Sequence, residues 1–157
     1  MGERFCKYNG KEYTCKIIKD KITLISYSMD VGFQYFRDIL GNICTDMFSK
    51  IIDGNGAEMI YEINYKVLYH DEYFVTMGIN KIVLDKNSIV LVTSDENVAK
   101  KYSFFKHGQF DFLKEVSLNE IEELKVEKRP LCQFKDLGSS FETFEIKEYL
   151  SRKYLNK

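Results

Sequence analysis

From Met59 to Tyr69 the chain reads MIYEINYKVLY, and Tyr61, Ile63, Tyr65, Val67 and Tyr69 stand at every second position with Glu62, Asn64 and Lys66 between them. Side chains on a strand alternate between two faces. A period of two therefore means a strand with one apolar, aromatic face, which has to be buried by other strands. The rest of the chain supplies them. Asn9-Gly10 is a tight-turn signal. After it, Tyr13, Cys15 and Ile17 alternate with Thr14 and Lys16, and ITLISYS returns beyond KDK as the second strand of a hairpin. DMFSKIID reads as a strand ended by the loop signal DGNG. YFVTMGI, NKIVLD, SIVLVTS and FDFLKEV continue the sheet, with a bend at Gly78.

Helices are expected in four places. Phe33, Phe36, Ile39 and Leu40 fall at helical spacing, with a stop at Gly41-Asn42. Ser94 or Asp95 caps a helix carrying Val98, Ala99, Tyr102 and Phe105. Ser117 with Glu120 forms a capping box. The segment TFEIKEYLSRKYL places Ile146, Tyr149, Leu150 and Tyr154 in one stripe, an amphipathic C-terminal helix. Cys132 to Phe141 is expected as loop or a short edge strand.

Several features recur in the same order. YNGKEY precedes ITLIS as YHDEY precedes IVLVTS. MFSKII then matches DFLKEV, so Phe48 and Lys50 correspond to Phe112 and Lys114. EMIYEI matches ELKVEK, placing Glu58 with Glu123 and Glu62 with Glu127. The separation drifts between about 60 and 67 residues, as it does when loops vary in length. The expectation is a single domain over 1–157, with half-repeats at 5–64 and 65–130 and a C-terminal extension at 131–157. Its class is expected to be α+β: mainly antiparallel sheet with short helices, built from a duplicated β-β-α-β-α unit.

Composition removes several functions. The 157 residues carry a formal charge of −1, so no global field would hold a nucleic acid. No run is long enough to span a bilayer, and the N-terminus lacks the apolar core of a secretory signal. Cys6 stands where a myristoylation motif wants Ser or Thr. The reading is a cytoplasmic protein. Cys6, Cys15, Cys44 and Cys132 form no CxxC pair, which favours buried reduced thiols. His70 and His107 have no ligand at metal spacing, and the DGNG loop fails the calcium-loop pattern, because Asn64 falls where its glutamate belongs. Neither a serine-nucleophile signature nor a phosphate loop is present. No catalytic residue, metal or cofactor is expected, and the chain is read as a non-enzyme.

Charge is nonetheless uneven. Lys100, Lys101 and Lys106 precede a stretch in which Asp111, Glu115, Glu120, Glu122 and Glu123 face only Lys114. Separated patches of opposite sign suit steering toward a charged protein partner.

In size, in β-rich organisation and in the style of FDFLKEVSLNEIEELKVEKRPL, a strand leading into a short acidic helix and then Pro130, the chain resembles the immunity proteins of bacterial polymorphic and contact-dependent growth-inhibition toxins. The heavy use of Lys, Ile, Asn, Phe and Tyr fits an AT-rich bacterial genome. The resemblance implies a protein that binds a cognate toxin domain in the cytoplasm, with Asp111, Glu115, Glu120, Glu122 and Glu123 as contact residues. A small-molecule or lipid-binding domain and a homo-oligomeric structural subunit are the alternatives.

Overall fold

The computed structural model describes residues 2–155. The chain folds into two compact units. One takes in the residues up to Asn64 together with Lys128–Ser140; the other takes in Tyr65–Glu127 and the residues from Phe141 on.

In the first unit, β1 (Glu3–Tyr8) turns through Asn9 and Gly10 into β2 (Lys11–Ile18). Both turn residues have positive φ, 49° and 76°. That is the backbone of a type I′ turn, whose twist matches a two-residue hairpin. Next come β3 (Lys21–Ser26), β4 (Gln34–Arg37) and β5 (Ile43–Asp53), then a 3₁₀ turn at Gly54–Gly56 and β6 (Met59–Tyr69). The strand order is β4-β5-β3-β2-β1-β6, antiparallel at each recorded register. Cys6, Tyr13, Cys15, Ile22, Leu24, Ile52 and Ile60 form the core, with Phe33 added from the loop before β4.

The second unit begins in β6, whose C-terminal half turns through His70 and Asp71, again both at positive φ, into β7 (Glu72–Thr76). It continues through α1 (Lys81–Lys86), β8 (Ser88–Thr93), α2 (Glu96–Lys101), β9 (Phe105–His107) and β10 (Asp111–Ser117). A 3₁₀ turn at Leu118–Glu120 and β11 (Glu123–Pro130) follow. The order here is β6-β7-β8-β10-β9, the β1-β2-β3-β5-β4 arrangement of the first unit over again. The closing bonds also recur. Gly54 donates its N–H to Asp20 O (2.9 Å) and Glu58 to Lys7 O (2.8 Å); Leu118 donates to Asn87 O (3.1 Å) and Glu122 to Leu68 O (2.9 Å). Beyond β11 lie a 3₁₀ segment at Cys132–Leu137, β12 (Ser140–Phe144) and α3 (Ile146–Leu155). Leu131 and Phe134 pack on the first core, whereas Ile146 and Leu150 belong to the second.

These facts correct the expected class. The fold is mostly β, with 52% of residues in strands against 22% in helices. Among the described residues the three α-helices have only six, six and ten residues, so the ten-residue C-terminal one does not make the class α+β. The expected β-β-α-β-α unit is corrected too, because the first unit holds no α-helix among the described residues. Where a helix was expected over Phe33–Leu40, the chain forms β4 and a turn. The Asp38 carboxylate accepts the N–H groups of Leu40 and Asn42 (both 2.9 Å), and a side chain that takes backbone donors in this way competes with helix. NKIVLD shows the reverse change, from expected strand to α1. Asn80 caps it by accepting from Val83 N (3.1 Å), and Asn87 ends it at φ 54°.

Leu24 and Leu91 sit in the matching segments ITLIS and IVLVTS, one in each unit, and neither is exposed at all. Replacing either by Ala should destabilise its unit by about 2–5 kcal/mol, read from urea unfolding.

Candidate functional site

The two copies of the strand order share one turn scaffold and dress it differently. In the first unit it reads Asp53-Gly54-Asn55-Gly56-Ala57-Glu58. In the second it reads Ser117-Leu118-Asn119-Glu120-Ile121-Glu122, followed by Glu123. The residues preceding the turns, Asp53 and Ser117, have nearly the same backbone angles, φ −72° and −69° with ψ 145° in both. Ala57 and Ile121 are buried at equivalent places. They differ in acidity at two places, Glu120 and Glu123 against Gly56 and Met59, while Glu122 has its counterpart in Glu58.

The expected contact residues are distributed along this part of the second unit. Glu120 closes the capping box, accepting from Ser117 N (3.0 Å). Glu122 is exposed, and its own N–H is the one bound to Leu68. Glu123 accepts the phenolic proton of Tyr73, and that bond pushes the Tyr73 hydroxyl above its ordinary pKa. Glu115 takes a hydrogen bond from Ser88 Oγ (2.9 Å). Asp111 begins β10 opposite His107, at the other end of a seven-residue strand and so roughly 20 Å from the turn. The structure thus gathers Glu120, Glu122 and Glu123, keeps Glu115 near them, and leaves Asp111 apart. Lys125 lies over the Tyr73 ring (5.2 Å) and Lys147 donates to Asn119. The patch is therefore less negative than its acids alone imply.

The aromatic stripe of β6 is largely interior. Tyr61 stacks on Phe5 (5.4 Å), and Tyr69 meets Phe74 and Tyr102. His70 stacks on Tyr102, a packing role, while His107 is exposed on β9. Among the described residues, no group of three His, Cys, Asp or Glu side chains is placed to hold a metal ion. Likewise, no helix is long and apolar enough to cross a membrane. Burial pushes the Cys6 thiol up to about 11, aided by Glu58, and the Cys15 thiol up to about 12. Cys132 is exposed beside a cleft of about 220 Å³ lined by Ile17, Asp20, Asp53 and Gln133.

Two features have little trace in the local sequence. Tyr65 and Tyr149 share a hydroxyl–hydroxyl bond (3.0 Å) that Lys153 joins at 3.3 Å; only the i,i+4 spacing of Tyr149 and Lys153 hints at it. The second is the segment 27–43, where a helix was expected to bury several residues and only Phe33 goes inside. Phe33 stacks on Tyr13 (5.1 Å), whose hydroxyl donates to Asp30 (2.7 Å). Phe36 is half-buried, and the aliphatic side chains point outward, Val31 97% and Leu40 82% exposed.

The fold and its surface define a mostly-β protein whose two units repeat one strand order and differ in what they display. A family model described as Uncharacterised conserved protein UCP033725 matches residues 2–133, and the chain belongs to that family. The match takes in both strand sets and stops before β12 and α3. No curated protein and no solved structure is similar enough to match.

Two measurements check this surface. Alkylation of the native protein at pH 8 should modify Cys132 readily and leave Cys6 and Cys15 unmodified until the protein unfolds, as mass spectrometry will show. Lys11, then Tyr13, hold the Asp30 carboxyl below its ordinary value, and the donors from Asn42 and Leu40 do the same for Asp38. A depressed carboxylate stabilises the fold fully above the ordinary carboxylate pKa and ceases to do so as pH falls through the lower, folded value. Titration followed by NMR should accordingly place both midpoints below 3.8.

Proposed function

We propose that the chain is a non-enzymatic binding protein that neutralises a cognate toxin domain in the bacterial cytoplasm by direct contact. The observation that carries this reading is the twice-used turn whose second copy adds two acids, Glu120 and Glu123 standing where the first copy has Gly56 and Met59. Equivalent backbone bonds hold both turns, and the first is held with Met59 in the place of Glu123, so the frame does not require that acid; Glu122 has its counterpart in Glu58 and lies exposed beside it. Acids that the frame does not need are available to a partner. A patch of this kind speeds encounter with a basic protein and weakens as salt screens it. Glu120 has a second task as the capping acid, and Asp111 lies too far along β10 to share a compact contact with the turn. Contact residues are accordingly centred on Glu122 and Glu123, with Glu115 at the margin. The resemblance in size and β-rich organisation to toxin immunity proteins supplies the class of partner.

The test is to express the open reading frames that neighbour this gene, to take any that arrests bacterial growth as the toxin, and to pair a growth-rescue assay with calorimetry on the purified proteins. The chain should relieve growth arrest and bind the toxin. Reversing Glu122 and Glu123 to Lys should weaken binding by roughly tenfold or more and flatten its dependence on salt, with thermal unfolding nearly unchanged. If the unaltered chain gave neither relief nor binding, the reading would be overturned.

A further inference from the structure

Cys6, Tyr13 and Ile60 point into the core of the first unit. Strand side chains alternate, so Lys7, Glu12, Met59 and Tyr61 stand on the opposite face of the same three strands. A cleft of about 490 Å³ opens there. That is the size of a small-molecule site, about 300 to 1,000 Å³. Register fixes how the cleft is lined. Lys7 on β1 lies between Glu12 on β2 and Met59 on β6. Lys128 reaches over the Tyr61 ring, 4.2 Å from its centroid. Glu58 bends to the turn, where its carboxylate accepts the Gly10 N–H (2.8 Å).

Two ammonium groups and two carboxylates thus line one space. Among the described residues none of the four forms an ion pair. The charges are also sorted. Glu12 and Glu58 stand by the Asn9-Gly10 turn, Lys128 stands over Tyr61, and Lys7 lies between them. The second unit fills the matching places differently. Leu68 and Tyr73 stand where the first unit has Lys7 and Glu12, and Glu123 and Lys125 stand where it has Met59 and Tyr61. There the Tyr73 hydroxyl donates to Glu123 and Lys125 lies over the Tyr73 ring, so those side chains satisfy one another. In the first unit the matching groups surround a cleft instead.

We propose that this cleft binds a free α-amino acid with an apolar side chain. Lys7 and Lys128 take its carboxylate, Glu12 and Glu58 take its ammonium, and Met59 with the edge of Tyr61 carries its side chain. Charge complementarity selects this class. A simple anion entering the cleft meets two carboxylates, and a simple cation meets two ammonium groups; like charges brought together reject both. A ligand that carries both charges a short distance apart satisfies all four groups through charge-assisted hydrogen bonds. Every residue named belongs to the first unit, so the site does not depend on the toxin reading.

An NMR titration of the full chain with L-phenylalanine and with L-leucine tests it. Both should shift the Gly10, Glu12 and Met59 resonances saturably. Hydrocinnamate, which lacks the ammonium, and phenethylamine, which lacks the carboxylate, should each bind roughly tenfold or more weakly than phenylalanine. Glu12→Gln should weaken phenylalanine by roughly tenfold without weakening hydrocinnamate, and Lys128→Met should do so without weakening phenethylamine. Both positions are exposed, so circular dichroism should be unchanged. The proposal is overturned by the absence of saturable shifts with both amino acids or by shifts confined to other parts of the chain. It is equally overturned if the acid or the amine alone binds as tightly as phenylalanine, or if the two variants fail to discriminate among the probes.

Discussion

One backbone contact made twice closes both units: the N–H at the start of a 3₁₀ turn donating to a carbonyl in the turn before an inner strand, Gly54 to Asp20 and Leu118 to Asn87. It brings the end of a long strand beside a turn more than thirty positions earlier in the first unit. The next bond, Glu58 to Lys7 or Glu122 to Leu68, then lays the following strand against the one that opened the unit. Backbone amides are strong donors that seek a partner, and these bonds mark where the chain goes next. The strand that ends the first cycle, β6, opens the second.

Such a frame leaves the open face of each sheet to be covered by whatever the chain has left. The first unit is covered by Leu131 and Phe134 from a 3₁₀ segment, together with Phe33. The second is covered by Ile146 and Leu150 of α3 and by residues near its two short helices. Different covers on one frame go with the α-helices falling in the second unit among the described residues. The two units also differ in what they carry at the surface. The acidic turn belongs to the second unit, and the bulged hairpin of β4 and β5 with its bare aliphatic tip belongs to the first.

Glu62 shows how far the interior tolerates charge. It is almost fully buried, with Arg129 at 2.6 Å, Arg4 at 3.8 Å and the Gly2 N–H at 3.2 Å. In β6 it reads as one of the polar residues on the solvent side of an alternating strand. Two arginines from other strands convert that position into an interior one, which a carboxylate occupies only when paired.

The sequence by itself determined most strands and the recurrence of their order. Period-two patterning and type I′ turn residues such as Asn9-Gly10 act over a few positions and leave a local mark. It also pointed to the acids near Glu120 and to the capping box at Ser117. The structure decided three other matters. The segment from Phe33 to Leu40 has helical spacing, but the Asp38 carboxylate captures its amides and Tyr13 captures Phe33, which makes a strand and an exposed tip. NKIVLD has strand-like composition, yet the Asn80 cap and the left-handed Asn87 make it a helix. Asp111 reads as part of one acidic cluster, and strand geometry carries it to the far end of β10. Periodicity reports which side chains are apolar; where the chain runs depends on which distant groups satisfy its amides and cover its core.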